Sequence, residues 1–172
     1  MNYYSNLKRE IERIKPVVDL IRDVLDCKNK KEIIEVSNLI KKLDIQITCD
    51  KDSLYPELVM VDGEPCLQIK RKSWLTNKKW KLKLIQLSLC ILYIKQSIEY
   101  PISSEILYTI TKVARELEIP TDIFLEDIKE ITREQKEILS EDIYWLSIKY
   151  GVSEQDIYDK GYRIGVFKSI FD

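Results

Sequence analysis

The residues best suited to chemistry in this 172-residue chain are basic and aromatic, and they lie close together. Lys70, Arg71, Lys72, Lys78, Lys79, Lys81 and Lys83 follow one another with Trp74 and Trp80 among them, and no acid stands between Lys70 and Lys83. Cations interleaved with aromatic rings can neutralise phosphates and stack on bases, so the run is a candidate nucleic-acid surface. The competing reading is a solvated helix start with two tryptophans packed beneath it, and an isoelectric point near 5.8 is not that of a dedicated nucleic-acid binder.

Other chemistries are narrowed by what the composition lacks. There is no histidine, which removes the imidazole base, the Ser-His-Asp and Cys-His arrangements, and every zinc site that needs an imidazole. Cys27, Cys49, Cys66 and Cys90 are widely spaced without a CxxC pair, so reduced thiols filling core space are expected. The carboxylates are scattered along helical faces, leaving an enzyme that works with carboxylates alone as a remote class. Charge is uneven: residues 1–100 carry 19 basic and 14 acidic side chains, and residues 101–172 carry 9 and 15.

The elements that position these residues follow from periodicity. The longest apolar stretch, Asn77 to Gln96, leaves no wide polar face and predicts a central helix buried nearly all round. It is too short and too lysine-rich at its start for a membrane span. An amphipathic helix is predicted over Ser5–Asp26, with Ser5 as N-cap and Pro16 ending a first turn or kinking the middle. A second is predicted over Lys30–Leu43, burying Ile33 and Ile34, and the two are expected to form a hairpin against the central helix. Alternating residues predict strands at 45–49, 57–61 and 65–70, the last two joined through Asp62-Gly63. Helices follow over Ser104–Leu117, Thr121–Ile131, and from Thr132 or Glu134 to Tyr150; a last one starts after Gly151 at Val152-Ser153.

The expected fold is therefore α+β and mostly helical, a single domain over 1–172 with a small three-stranded antiparallel sheet against the buried central helix. With 45 % hydrophobic and 33 % charged residues, and no visible export signal, a cytoplasmic protein with a real core is expected.

Several short motifs, in this order, resemble the ImmA/IrrE-like metallopeptidase domain. Ala114-Arg115-Glu116-Leu117-Glu118-Ile119-Pro120-Thr121-Asp122-Ile123-Phe124 is similar to that family's FAxxLLMPxxxF segment, with Val113 at the phenylalanine place and Glu118 at the second leucine. Tyr150-Gly151-Val152-Ser153 followed by Gln155-Asp156-Ile157 resembles its terminal valine-serine stretch, and Leu67-Gln68-Ile69 stands where its strand before the active helix stands. The resemblance spans about Asp44 to Phe167, with residues 1–43 as N-terminal helices, and implies a zincin-like core.

It also implies a lost active site. Laid on the family's HExxH helix, Gln86 and Cys90 replace the two histidine ligands and Leu87 the general-base glutamate; another register puts Leu84, Ile85 and Ser88 there. The third-ligand glutamate falls at Thr109, with Glu105 the nearest acid one turn earlier. A catalytic zinc needs three protein ligands and a carboxylate base beside its water, so neither metal nor cofactor is expected. The cleft residues Gln86, Leu87, Cys90 and Thr109 are instead expected in a refilled core.

What the resemblance implies about function is a catalytically inactive metallopeptidase-like protein that works by protein–protein interaction, a regulator on a bacterial mobile element or phage. Its partner would be a helix-turn-helix repressor or a host protein, met through Lys70, Arg71, Lys72, Trp74, Lys78 and Lys79 or through the acidic terminal helices. The alternative is a nucleic-acid-binding or nucleic-acid-mimicking module that inhibits a host defence enzyme.

Overall fold

The computed structural model describes residues 3–27, 32–97, 101–135 and 137–167. It is an α+β fold, and among the described residues seven helices surround one small sheet. In chain order these are α1 (Tyr3–Val24), α2 (Val36–Lys42), β1 (Ile47–Cys49), β2 (Glu57–Val61), β3 (Glu64–Ile69), α3 (Lys81–Ser97), α4 (Ser104–Glu118), α5 (Thr121–Gln135), α6 (Ser140–Tyr150) and α7 (Glu154–Arg163).

The sheet corrects one expectation. Its order is β1-β3-β2, and while β2 pairs antiparallel to β3, β1 pairs parallel to it, so the sheet is mixed. The hairpin itself is as read: Val61 faces Glu64 across a two-residue loop in which Asp62 and Gly63 both have positive φ, 51° and 83°. That geometry belongs to the type I′ turn, whose twist suits adjoining strands. β3 is the most buried strand of the three, with Cys66, Leu67 and Ile69 all in the core. The hairpin satisfies only one of its edges, and β1 is left to cover the other.

The helix at the centre is buried nearly all round, as its sequence demands. Leu84, Ile85, Leu87, Ser88, Leu89, Cys90, Ile91 and Ile94 of α3 are all buried, and Ser88 Oγ donates to the Leu84 carbonyl at 2.8 Å. α3 starts four residues later than expected because two 3-10 turns, Lys72–Thr76 and Lys78–Trp80, precede it. Asn77 Oδ1 caps the second by accepting from Lys79 N at 2.9 Å.

The N-terminal hairpin is replaced by two separate docks: α1 packs on α4, and α2 on α3. α1 runs through Pro16 rather than ending there, and it begins before Ser5. α2 is shorter than expected, and its predicted start at Lys30 lies outside the described residues. Residues 32–35 are not helical; Ile34 is buried, but Ile33 is 43 % exposed. Later boundaries shift as well, with α5 reaching Gln135 and α6 starting only at Ser140. Ser103 and Ser153 cap α4 and α7 as serine N-caps do, and Gly151 closes α6 with φ 62°, a conformation that costs other residues a steric penalty.

Apolar side chains gather in two clusters. One joins α1, α2, the sheet, α3 and the inner face of α4; the other joins Ile119, α5, α6 and α7. The boundary between them falls at the end of α4, where buried polar groups collect.

Candidate functional site

The basic run divides into surface and core. Lys70, Arg71, Lys72, Lys78 and Lys79 are exposed, whereas Trp74 is 7 % exposed and belongs to the core. Its ring lies 5.3 Å from that of the half-buried Trp80, tilted by 35°, and Lys79 Nζ sits 4.9 Å from the Trp80 centroid. Trp74 is therefore not available to stack on a base, which corrects its place among the contact residues. Lys81 is buried too, at 7 % exposure.

The residues aligned with a metallopeptidase site come together only in part. Gln86 and Cys90 are one helical turn apart on α3, with Leu87 and Cys90 buried and Gln86 half-buried. Burial pushes the Cys90 thiol up to about 11 against a smaller opposite pull from Lys83, so it is inert near neutral pH. Thr109 is not in the group: it is exposed, and its hydroxyl donates to the Glu105 carbonyl of its own helix at 3.1 Å. Gln86 Nε2 donates instead to Thr111 Oγ1 at 2.7 Å. Two residues along a helix turn about 200°, so Thr109 and Thr111 point to nearly opposite sides, and Thr111 is on the side that meets α3. Among the described residues, no three Cys, Asp or Glu side chains are grouped to hold a metal ion.

A seam of buried charge at the end of α4 was not foreseen. Lys81 Nζ donates to the Tyr150 carbonyl at 2.6 Å, and its desolvation lowers its pKa to about 8 against the pull of Glu118 and Asp156. Lys160 of α7, 4 % exposed, donates to Thr121 Oγ1 at 2.6 Å and to Glu116 Oε2 at 3.1 Å. Glu116 also accepts from Thr121 N at 2.6 Å and Thr121 Oγ1 at 2.7 Å, which caps the start of α5. Burial lowers the Lys160 pKa. Glu118 is 3 % exposed, and burial, then the Asp156 charge, raise its carboxyl to about 7 despite Lys81, Arg163 and Lys160 nearby.

Two signals for this seam were legible. Glu118 lies between the apolar residues Leu117 and Ile119, and Lys160 continues the apolar stripe of Ile157, Gly161 and Ile164 along α7 and its C-cap. Two open cavities flank Arg115 and Arg163 there, one of about 390 Å³ toward α1 and one of about 210 Å³ toward Asp156 and Asp159.

A different surface is apolar. On α6, Tyr144, Trp145 and Ile148 are 49 %, 65 % and 46 % exposed, and the Tyr144 and Trp145 rings meet edge to face at 5.6 Å. Their spacing sets them side by side on the outer face of the helix. Ile143, Leu146 and Tyr150 take the inner face of the helix instead.

Among the described residues no helix is long and apolar enough to cross a membrane. Comparisons with family models, with curated proteins and with solved structures find no match to this chain.

Proposed function

We propose that this chain is a non-catalytic protein-binding protein, a metallopeptidase-like frame that acts in the cytoplasm by docking on a regulator of the helix-turn-helix kind or another host protein. The observation that carries the reading is the aromatic face of α6. Trp and Tyr dominate binding energy at protein interfaces, and an exposed cluster of Tyr144, Trp145 and Ile148 on one helix gives a partner large apolar area at little entropic cost. The Gln86–Thr111 bond supports the non-catalytic part, because it spends on each other two side chains that face across α3 and α4.

The nucleic-acid reading rests on the exposed cations Lys70, Arg71, Lys72, Lys78 and Lys79. Burial of Trp74 takes one of its two rings away.

The deciding experiment uses the purified chain as bait beside a Trp145→Ala, Ile148→Asp double variant of equal helicity. The expected result is a defined protein captured by the parent and lost by the variant. Equal capture by both, or a captured nucleic acid released by Lys70→Glu, Arg71→Glu, Lys72→Glu and not by the α6 variant, overturns the reading.

A further inference from the structure

The outward face of α6 carries a charge pattern as well as apolar area. Glu141, Trp145 and Lys149 follow at four-residue spacing, so they lie one above another on the helix, with Tyr144 and Ile148 beside them. The charges at its two ends are not equivalent. Lys149 Nζ donates to Asp127 Oδ1 of α5 at 2.5 Å and lies 5.8 Å from the Tyr150 ring centroid, so its charge is answered within the chain. The exposed Glu141 makes no side-chain hydrogen bond or ion pair among the described residues.

The rings point the same way. Among the described residues, cations of this chain lie over Trp80, Tyr108 and Tyr150, and none lies over Trp145. An exposed indole without a cation attracts one from a partner, because the ring is negative above its face. The surroundings add to this pull: residues 121–167 hold 11 acidic and 6 basic side chains, and of those bases Lys149 and Lys160 are already ion-paired. An acidic partner would set like charge against Glu141 and weaken both encounter and affinity, whereas a basic one gains in both. A helix fits the shape, since the rows of side chains three and four residues apart on α6 interleave with those of a second helix.

We propose that the partner of the α6 face is a basic amphipathic helix, its apolar stripe packed on Tyr144, Trp145 and Ile148, one lysine or arginine over the Trp145 ring and another paired with Glu141. The inference rests on the docking reading above and narrows it to one class of partner.

The test is a titration of the full chain with two synthetic helical peptides that share one leucine stripe and differ only in carrying lysine or glutamate at the flanking positions, followed by the amide chemical shifts of α6. Saturable shifts on α6 are expected, with the lysine peptide bound about tenfold or more tightly than the glutamate peptide and its advantage shrinking as salt is added. A folded Glu141→Lys variant should narrow or reverse that preference, and Trp145→Ala should weaken the lysine peptide about tenfold. Equal affinity for the two peptides, or an unchanged preference in Glu141→Lys, would overturn the basic partner while leaving the docking reading in place. Binding of neither peptide at α6 would remove both. Concentration-dependent shifts of the same amides in the chain alone would give the face to a second copy and overturn the proposal as well.

Discussion

Gln86 and Thr111 face each other across α3 and α4, joined by a 2.7 Å hydrogen bond from Nε2 to Oγ1, and the same hydroxyl donates to the Leu107 carbonyl. A half-buried amide is thereby satisfied by the neighbouring helix. Replacing either partner leaves the other short of a bond, so Gln86→Leu and Thr111→Val should each cost about 1–2 kcal/mol. The double variant should cost less than the sum, because the second change removes a group already orphaned. Denaturant unfolding of the four proteins measures this coupling, and strict additivity would show that the bond contributes nothing.

Glu118 should give stability an unusual dependence on pH. Its carboxyl is raised from 4.5 to about 7 in the folded chain, so between those values the folded state holds more protons than the unfolded one. Stability from this group is therefore full below about pH 4.5 and is lost as pH rises toward 7, by something on the order of 2–3 kcal/mol. Glu118→Gln has no such proton to lose. The stability difference between variant and parent should accordingly grow in the variant's favour from pH 4.5 to 7, and a constant difference across that range would contradict the burial seen here.

The cysteines should react in the order of their exposure. Cys49 is exposed on β1, while Cys66 and Cys90 are buried, Cys90 with a thiol pushed up to about 11. Iodoacetamide under native conditions followed by mass spectrometry should modify Cys49 first and leave Cys90 protected until unfolding. Fast labelling of Cys90 in the folded protein would mean an open groove along α3 in place of a filled core. Cys90→Ala should cost about 1–2 kcal/mol through lost contacts.

The basic run should separate into two parts on mutation. Changing Lys70, Arg71 and Lys72 together to glutamate alters exposed side chains, each worth about 0–1 kcal/mol, and should leave the fold intact. Trp74→Ala removes a core ring and should cost about 3–5 kcal/mol. Thermal or urea denaturation distinguishes them; a mild effect at Trp74 would return it to the surface.

Local chemistry was enough to determine several parts of this protein from its sequence. The Asp62-Gly63 hairpin needs only two residues that accept positive φ, the Gly151 stop only one, and the serine caps only a hydroxyl beside a new helix. The all-round burial of α3 was likewise legible, because a helix without a polar face has nowhere but the interior to go. The absence of histidine excluded imidazole chemistry outright. What periodicity could not supply was the choice of partners between elements. Whether β1 joins β2 or β3 depends on which edge is left open, and whether Thr109 or Thr111 meets Gln86 depends on how α4 is rotated against α3. The same holds for Lys81 and Trp74, which sit in one basic run with Lys79 yet are drawn inside, Lys81 by a carbonyl 69 residues away and Trp74 by its place in the core. Such outcomes belong to long-range packing, in which each side chain's environment is built by residues far from it in the chain. Glu118 shows the difference most plainly: a glutamate in sequence, it becomes a buried carboxyl only when α7 closes over the end of α4.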